Sequence, residues 1–426
     1  MSNSRNWKPE TQAVHCGWTP KNGEPCQLPI YHSTAYKYSD AQSVADLFDL
    51  KSDGFFYSRL ANPTVAALET KIAEMEGGVA AVGVTSGQTA NMMAIMNVCP
   101  CGGHVLASAA LYGGTVTLFT MTLKRMGVDV TMVPHDATAD EIVAAARPNT
   151  RALFAETLTN PSVCVLNFEA YSEAAKRLGV PLIVDNTFAT PYLCRPFDFG
   201  ADIVTHSATK YLDGHQTSIG GIIVEKGDFN WSNGKFPEFT EPDVSYHGLI
   251  YTRDFPAAPF STKLRVQWVR DSGAILPPMN AFLINLGMQT LHLRMDRHSA
   301  NALEMAKFLK AHPKVAWVNY PGLEDSPEHE RCKKYLRAAS GVLCFGAVGG
   351  KEASVRAIDS LKLASIVVHV ADVRTMVLHP ASMTHRQLSD EQLAAAGVPP
   401  DLIRLSVGIE NVDDIKADFE QALAKI

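Results

Sequence analysis

Residues 181–192, PLIVDNTFATPY, and residues 202–215, DIVTHSATKYLDGH, are two short apolar runs that both end in chemically loaded residues. The first run stops at Asp185; the second stops at Ser207, Thr209 and Lys210, with the lysine 25 residues beyond the aspartate. Short apolar runs bounded by polar turns read as buried strands. The neighbouring runs VAAVGVTS (79–86), HVLASAA (104–110), VDVTMV (128–133) and RALFAET (151–157) have the same texture. Between them lie the helical stretches TANMMAIMNV (89–98), TVTLFTMTLKRMG (115–127) and YSEAAKRLG (171–179). Strands that alternate with helices predict an α/β fold, with a mostly parallel sheet covered on both faces. Such sheets bind ligands at the carboxyl ends of their strands, which is where Asp185 and Lys210 fall.

Outward from this centre the chain changes texture twice. Residues 1–60 mix polar stretches, isolated aromatics and prolines without sustained periodicity, and are expected to form an arm lying on the fold or on a second subunit. A large domain is expected over 61–265. It opens on a helix that Asn62 caps and Pro63 starts, with Leu68, Ile72 and Met75 on one face and Gly77-Gly78 ending it. Within that domain, residues 226–262 are rich in Gly, Pro, Asn and aromatics with no period, and read as a long, lid-like insertion. A smaller α+β domain is expected over 266–426, opening on the helical pattern after Leu276-Pro277-Pro278.

Composition narrows the function classes. The chain has 426 residues, 46% of them hydrophobic, and a net charge of −6 without a basic block, which argues against a nucleic-acid or anionic-membrane partner. The polar N-terminus MSNSRNWKPETQ has no signal-peptide core, and no run of about eighteen apolar residues occurs. A cytoplasmic protein with reduced thiols is expected. Cys99 and Cys101 are not followed by a second pair or a His cluster at ligand spacing, so no metal site is expected.

Three strand ends carry the candidate chemistry. Ser86-Gly87-Gln88-Thr89 turns a strand into a helix through small residues, leaving free amides and a positive helix end for an anion. Asp185 is a carboxylate just after a buried run and needs a partner there. Lys210 is an amine whose burial would lower its pKa and make it a nucleophile. Each alone has a bland reading as cap, turn or solvated end. Together they supply what pyridoxal 5′-phosphate requires: an amine for its aldehyde, a carboxylate for its ring nitrogen and a cradle for its phosphate, with Ser207 and Thr209 adding hydroxyls.

The segments YSRLANPTVAALETKIAEMEGG (57–78), SGQTA (86–90), LYGGT (111–115), ETLTNP (156–161), VDNTFATPY (184–192), HSATKYLDGH (206–215), HPASMTH (379–385) and IRLSVGIE (403–410) together strongly resemble the cysteine and methionine metabolism family of pyridoxal-phosphate enzymes. The resemblance runs from Thr11 to the C-terminus and implies the type I, aspartate-aminotransferase-like fold. It implies that Lys210 holds the cofactor covalently and shuttles protons. Asp185 would pair with the ring nitrogen, and Tyr112 would stack on the ring and act near the leaving group. Ser86, Gly87, Gln88, Ser207 and Thr209 would bind the phosphate. Asn160 would hydrogen-bond the cofactor's 3′ oxygen or the substrate carboxylate, which Arg404 would clamp with help from Ser365. Tyr57 and Arg59 would reach a neighbouring subunit's phosphate, so the site would need a homodimer and the family's usual homotetramer follows. His206, His379 and His385 read as packing groups.

Within that family, Gly114 after LYG and the 226–262 insertion resemble the sulfhydrylase branch, which replaces acetate at Cγ of O-acetyl-L-homoserine by sulfide or methanethiol. The alternative is γ-elimination, as in methionine γ-lyases, which typically carry a reactive cysteine at the position of Gly114. The chain departs from both patterns at SIVVHVAD (365–372). A scaffold without chemistry would require an idle Lys210, and nothing around it reads as eroded.

Overall fold

The computed structural model describes residues 6–384, 386 and 398–426; His385 lies outside the described residues. The first sheet contains β1 (Ala80–Val84), β2 (His104–Ser108), β3 (Asp129–Val133), β4 (Thr150–Glu156), β5 (Leu182–Asp185), β6 (Ile203–Ser207) and β7 (Gly221–Glu225). Its order is β1-β7-β6-β5-β4-β2-β3, with β7 antiparallel to both neighbours and the other pairings parallel. Leu182, Ile183 and Val184 are fully buried, as strands covered on both faces must be. The carboxyl ends of β1, β2, β4, β5 and β6 therefore share one edge. Every strand-end residue singled out in the sequence lies along it.

The opening helix of the domain, Pro63–Glu76, follows its local signals closely. Asn62 accepts from the Thr64 amide at 3.0 Å, Pro63 occupies the first turn and Gly77 stops the helix at φ +82°. The arm is more structured than its composition suggests. A helix at Pro9–His15 buries Ala13 against Pro63–Glu76, where the Lys71 ammonium donates to the Ala13 carbonyl at 2.9 Å. A second helix, Ala41–Phe48, is capped by Asp40. Tyr31, Phe48 and Tyr57 of the arm remain exposed.

The 226–262 segment differs from the long irregular loop that its composition suggests. It is a chain of helical turns of three to five residues, too short to show a period, wrapped around Trp231, Phe236, Phe239 and Phe260. Trp231 stacks on Phe239 with ring centroids 4.3 Å apart, and all four rings are buried. Burial of four aromatic side chains is worth on the order of several kcal/mol, which anchors the segment as core. It is fixed further by Glu225, which accepts from the Ser261 and Phe260 amides at 2.7 and 3.2 Å.

The helical run 259–272 continues from that segment without a break, so position 265 falls inside it rather than in a linker. Arg265 ties the run to Pro63–Glu76 through Glu69 at 2.7 Å. Helices Pro278–Met288 and Leu291–Ala311 then lead to a second sheet of β8 (Val315–Asn319), β9 (Val342–Ala347), β10 (Ser365–Ile366), β11 (Met376–Leu378) and β12 (Leu402–Ser406). Its order is β10-β11-β12-β9-β8, and helix Val412–Leu423 meets it through Phe419, whose ring lies 6.1 Å from that of Phe345 on β9. Among the described residues no helix is long and apolar enough to cross a membrane.

Candidate active site

The turn from β1 into helix Gly87–Val98 lies against the end of β6. Ser86 caps the helix by accepting from the Thr89 amide at 3.2 Å. A Cβ on Gly87 would stand 2.4 Å from the Ser207 Cβ, so only glycine lets the helix start approach the strand end this closely. Thr209 is held by the Gly220 amide, which donates to its hydroxyl at 3.1 Å. Ser86, Ser207 and Thr209 are half-buried, leaving small polar groups around an open helix N-terminus. Gln88 belongs to the same turn, but its side-chain amide donates to the Gly114 carbonyl at 2.6 Å.

Asp185 sits at the centre of the edge among neutral donors. Its Oδ2 accepts from the Asn91 side chain at 3.0 Å, and its Oδ1 accepts from the Thr187 amide at 3.0 Å and hydroxyl at 2.5 Å. Thr205 in turn donates to Asn91 at 2.6 Å, and Thr187 accepts from the Ser207 amide at 2.8 Å. These bonds aim the carboxylate without neutralising it. Asp185 is half-buried between buried Val184 and Asn186, so it borders a recess rather than the packed core.

Directly beside it, in register across β4 and β5, is Glu156. Glu156 accepts from the Tyr112 amide at 2.7 Å and the Asn160 amide at 3.2 Å. Burial, and then the Asp185 charge, push its carboxyl well above the usual range. The residue thus ties together the two loops that carry Tyr112 and Asn160. Tyr112 itself is about half exposed, at 49%.

Lys210 lies in the turn after β6. Burial, and next the positive charge of Arg404, lower its pKa to about 8. Its Nζ lies 3.1 Å from His369 Nδ1. Burial and the neighbouring lysine lower His369 to about 4, so its imidazole is neutral and accepts from the amine. Arg404, on β12, is buried and donates to Asn160 Oδ1 at 3.1 Å and to the His369 carbonyl at 2.8 Å. Burial lowers even this guanidinium to about 10, and an anion beside it would offset that cost.

Asp185, Lys210, Asn160 and Arg404 are therefore linked in one network of contacts with Tyr112 and with the Ser86–Gly87 and Ser207 turn. Ser365 lies on the exposed edge strand β10, paired with Met376, and the chain meets Arg404 at His369 instead. Tyr57 and Arg59 line a separate cavity of about 420 Å³ with Tyr36, Tyr246 and Arg270. There the Arg59 guanidinium lies 5.4 Å over the Tyr57 ring and donates to the Arg270 carbonyl. His206 is fully buried behind the edge, 2.7 Å from Glu76, and His379 is bonded to Ser382 and the Pro400 carbonyl.

Four residues of the site, Glu156, Asn91, Thr187 and His369, were not singled out in the sequence. Glu156 carried a usable signal, since it ends a buried run as Asp185 does. Asn91 and Thr187 gave none, because they act across elements. His369 lies within the one segment, SIVVHVAD, that departs from the resemblance.

The family described as Cys/Met metabolism PLP-dependent enzyme matches residues 10–424. The chain is 45% identical to the O-acetyl-L-homoserine sulfhydrylase of Leptospira meyeri, over 99% of this chain and 98% of that one. It is also 45% identical to the homocysteine synthase of Schizosaccharomyces pombe, over 97% of each. A solved structure from Campylobacter jejuni, assigned as an O-acetylhomoserine (thiol)-lyase and carrying a pyridoxyl-lysine phosphate, superposes with a TM-score of 0.95. It is 38% identical and covers 98% of this chain and 100% of that one.

Proposed function

Since the chain belongs to the Cys/Met metabolism family of PLP-dependent enzymes, we propose that it replaces the acetate of O-acetyl-L-homoserine by sulfide or methanethiol. The products are homocysteine or methionine, together with acetate. The recess fits the cofactor in each part: an amine of lowered pKa for the aldehyde, an aimed carboxylate for the ring nitrogen, and a glycine-lined helix start for the phosphate. Bound there, pyridoxal 5′-phosphate supplies the electron sink that makes protons at Cα and Cβ removable.

The protein's residues do the rest. Arg404 takes the substrate α-carboxylate with its two-pronged donor set, and Asn160, already on its Nη1, fixes the orientation. Lys210 Nζ, partly neutral at physiological pH, accepts the Cα proton and returns it. Tyr112, half exposed, faces the γ-substituent and the entering thiol. Asp185 holds the ring nitrogen, and Ser86, Gly87, Ser207 and Thr209 hold the phosphate.

The observation that carries replacement over elimination is Gly114. A Cβ at this position would stand 2.5 Å from Tyr112 Cε1, so the tyrosine ring rests where a cysteine side chain would begin. The separate position of Tyr57 and Arg59, beside exposed arm aromatics, supports a site shared across a homodimer, with a homotetramer built from two of them. The cytoplasm is the compartment that suits its free thiols. The test offers the purified protein O-acetylhomoserine with sulfide in one reaction and methionine alone in another. Homocysteine and acetate from the first, with little 2-oxobutanoate from the second, are expected; the reverse would make the protein a γ-lyase.

A further inference from the structure

Behind the substrate recess, three residues far apart in sequence converge. His135 follows β3, Cys164 lies four residues beyond Asn160, and Glu328 immediately precedes helix His329–Tyr335. One donor atom from each lies within 4.8 Å of the other two. His135 Nε2 is 3.8 Å from Glu328 Oε1. We infer that His135, Cys164 and Glu328 form a binding site for a zinc ion, with a fourth position open to water.

The donor chemistry and its support both favour this reading. Thiolate, imidazole and carboxylate are the three zinc ligand types, and the two anions would balance the divalent charge. Glu328 is already aimed: its Oε2 accepts from the Val165 amide at 3.1 Å and lies 3.6 Å from Arg331, leaving Oε1 turned to His135. Cys164 is pinned through its main chain, its amide donating to the Thr159 hydroxyl at 2.9 Å and its carbonyl accepting from the Thr159 amide at 3.1 Å. Such supporting bonds orient ligands before an ion arrives. Tetrahedral zinc holds donors at ~2.0–2.3 Å, so the cluster must contract by on the order of 1 Å. His135 and Cys164 are half-buried, while Glu328 is buried and held by Val165 and Arg331.

The site has a route to the chemistry. The loop that carries Cys164 also carries Asn160, whose side chain holds Arg404. An ion on Cys164 would stiffen this loop, so its occupancy should register as a change in KM for the amino-acid substrate.

The test uses the full-length, cofactor-loaded protein, stripped with chelator, equilibrated with zinc chloride by dialysis and counted by elemental mass spectrometry. One zinc per subunit is expected, with a melting temperature that rises with zinc concentration. Cys164→Ala, His135→Ala and Glu328→Gln should each weaken binding by more than the roughly 10- to 100-fold that loss of a supporting group costs. Cys26→Ser and Cys101→Ser, which remove the exposed cysteines outside the cluster, should leave it unchanged. Independently of any variant, zinc should protect Cys164 from iodoacetamide, read by peptide mass spectrometry. Substoichiometric zinc, binding indifferent to the three substitutions, or alkylation of Cys164 that zinc does not slow would each overturn the site.

Discussion

The proposed cofactor side and the proposed carboxylate side of the site are built in different ways. The cofactor side is made of strand ends of one sheet: Ser86–Gly87 after β1, Asp185 at the end of β5, and Ser207, Thr209 and Lys210 on and after β6. Its groups are positioned by sheet register and by close approaches such as Gly87 against Ser207, which tolerate no side chain. The carboxylate side is made by contacts between the two sheets. Arg404 reaches Asn160 across 244 residues of sequence, and His369 joins Arg404 to Lys210. A register-built half can serve every reaction of a cofactor, whereas a contact-built half can change from chain to chain. Chemistry should therefore be lost through the first half and substrate binding through the second.

The largest effect should come from Lys210→Ala. Loss of a positioned acid–base group alone costs about 10²- to 10⁴-fold, and loss of the attachment point should take kcat/KM beyond it. Retained activity in steady-state assays would break the division at its root. Next, Arg404→Ala removes a buried charge whose partners, Asn160 and the His369 carbonyl, are left unpaired. The expected cost is about 2–5 kcal/mol, appearing in KM for the amino acid with kcat and cofactor absorbance largely kept. A collapse of kcat with bleaching of the cofactor would mean that the halves are not separable.

A smaller effect sharpens the link between them. The cofactor-free protein should capture pyridoxal phosphate through neutral Lys210, so the capture rate should rise with pH around about 8 and fall below it, where the amine is protonated. Arg404→Ala removes the second cause of the lowered pKa but leaves burial, the first. Its capture curve, followed by absorbance, should move to higher pH yet stay below the ordinary lysine value of 10.5. An unmoved curve would show that Arg404 does not act on the amine.

The smallest effect is expected from His369→Asn. The imidazole is neutral and bonded to Lys210, so its removal should change kcat by no more than about tenfold, a fraction of a full acid–base contribution, and shift the pH profile of kcat while leaving KM in place. A rise in KM instead would make His369 part of the carboxylate clamp.

The two halves also differed in how far the sequence disclosed them. Asp185 and Lys210 stand immediately after buried runs, where the physics of a doubly covered sheet makes a charge conspicuous. The helix Pro63–Glu76 announced itself through cap, proline and glycine in the same way. Glu156 bears the same mark as Asp185, a carboxylate at the end of a buried run. His369 was illegible, since its meaning lies in a contact with a residue 159 positions away. The 226–262 segment misled for a different reason: helical turns of three to five residues have no measurable period, and its order comes from aromatic packing. The convergence of His135, Cys164 and Glu328 was equally hidden, because motif spacing finds ligands only when they are near in sequence.

The most direct test of the central claim is to reduce the cofactor-loaded protein with borohydride, digest it and locate the pyridoxyl group by peptide mass spectrometry. The account predicts a single label on Lys210, absent from Lys210→Ala. A label on another lysine, or an unlabelled Lys210 peptide from fully active protein, would contradict it.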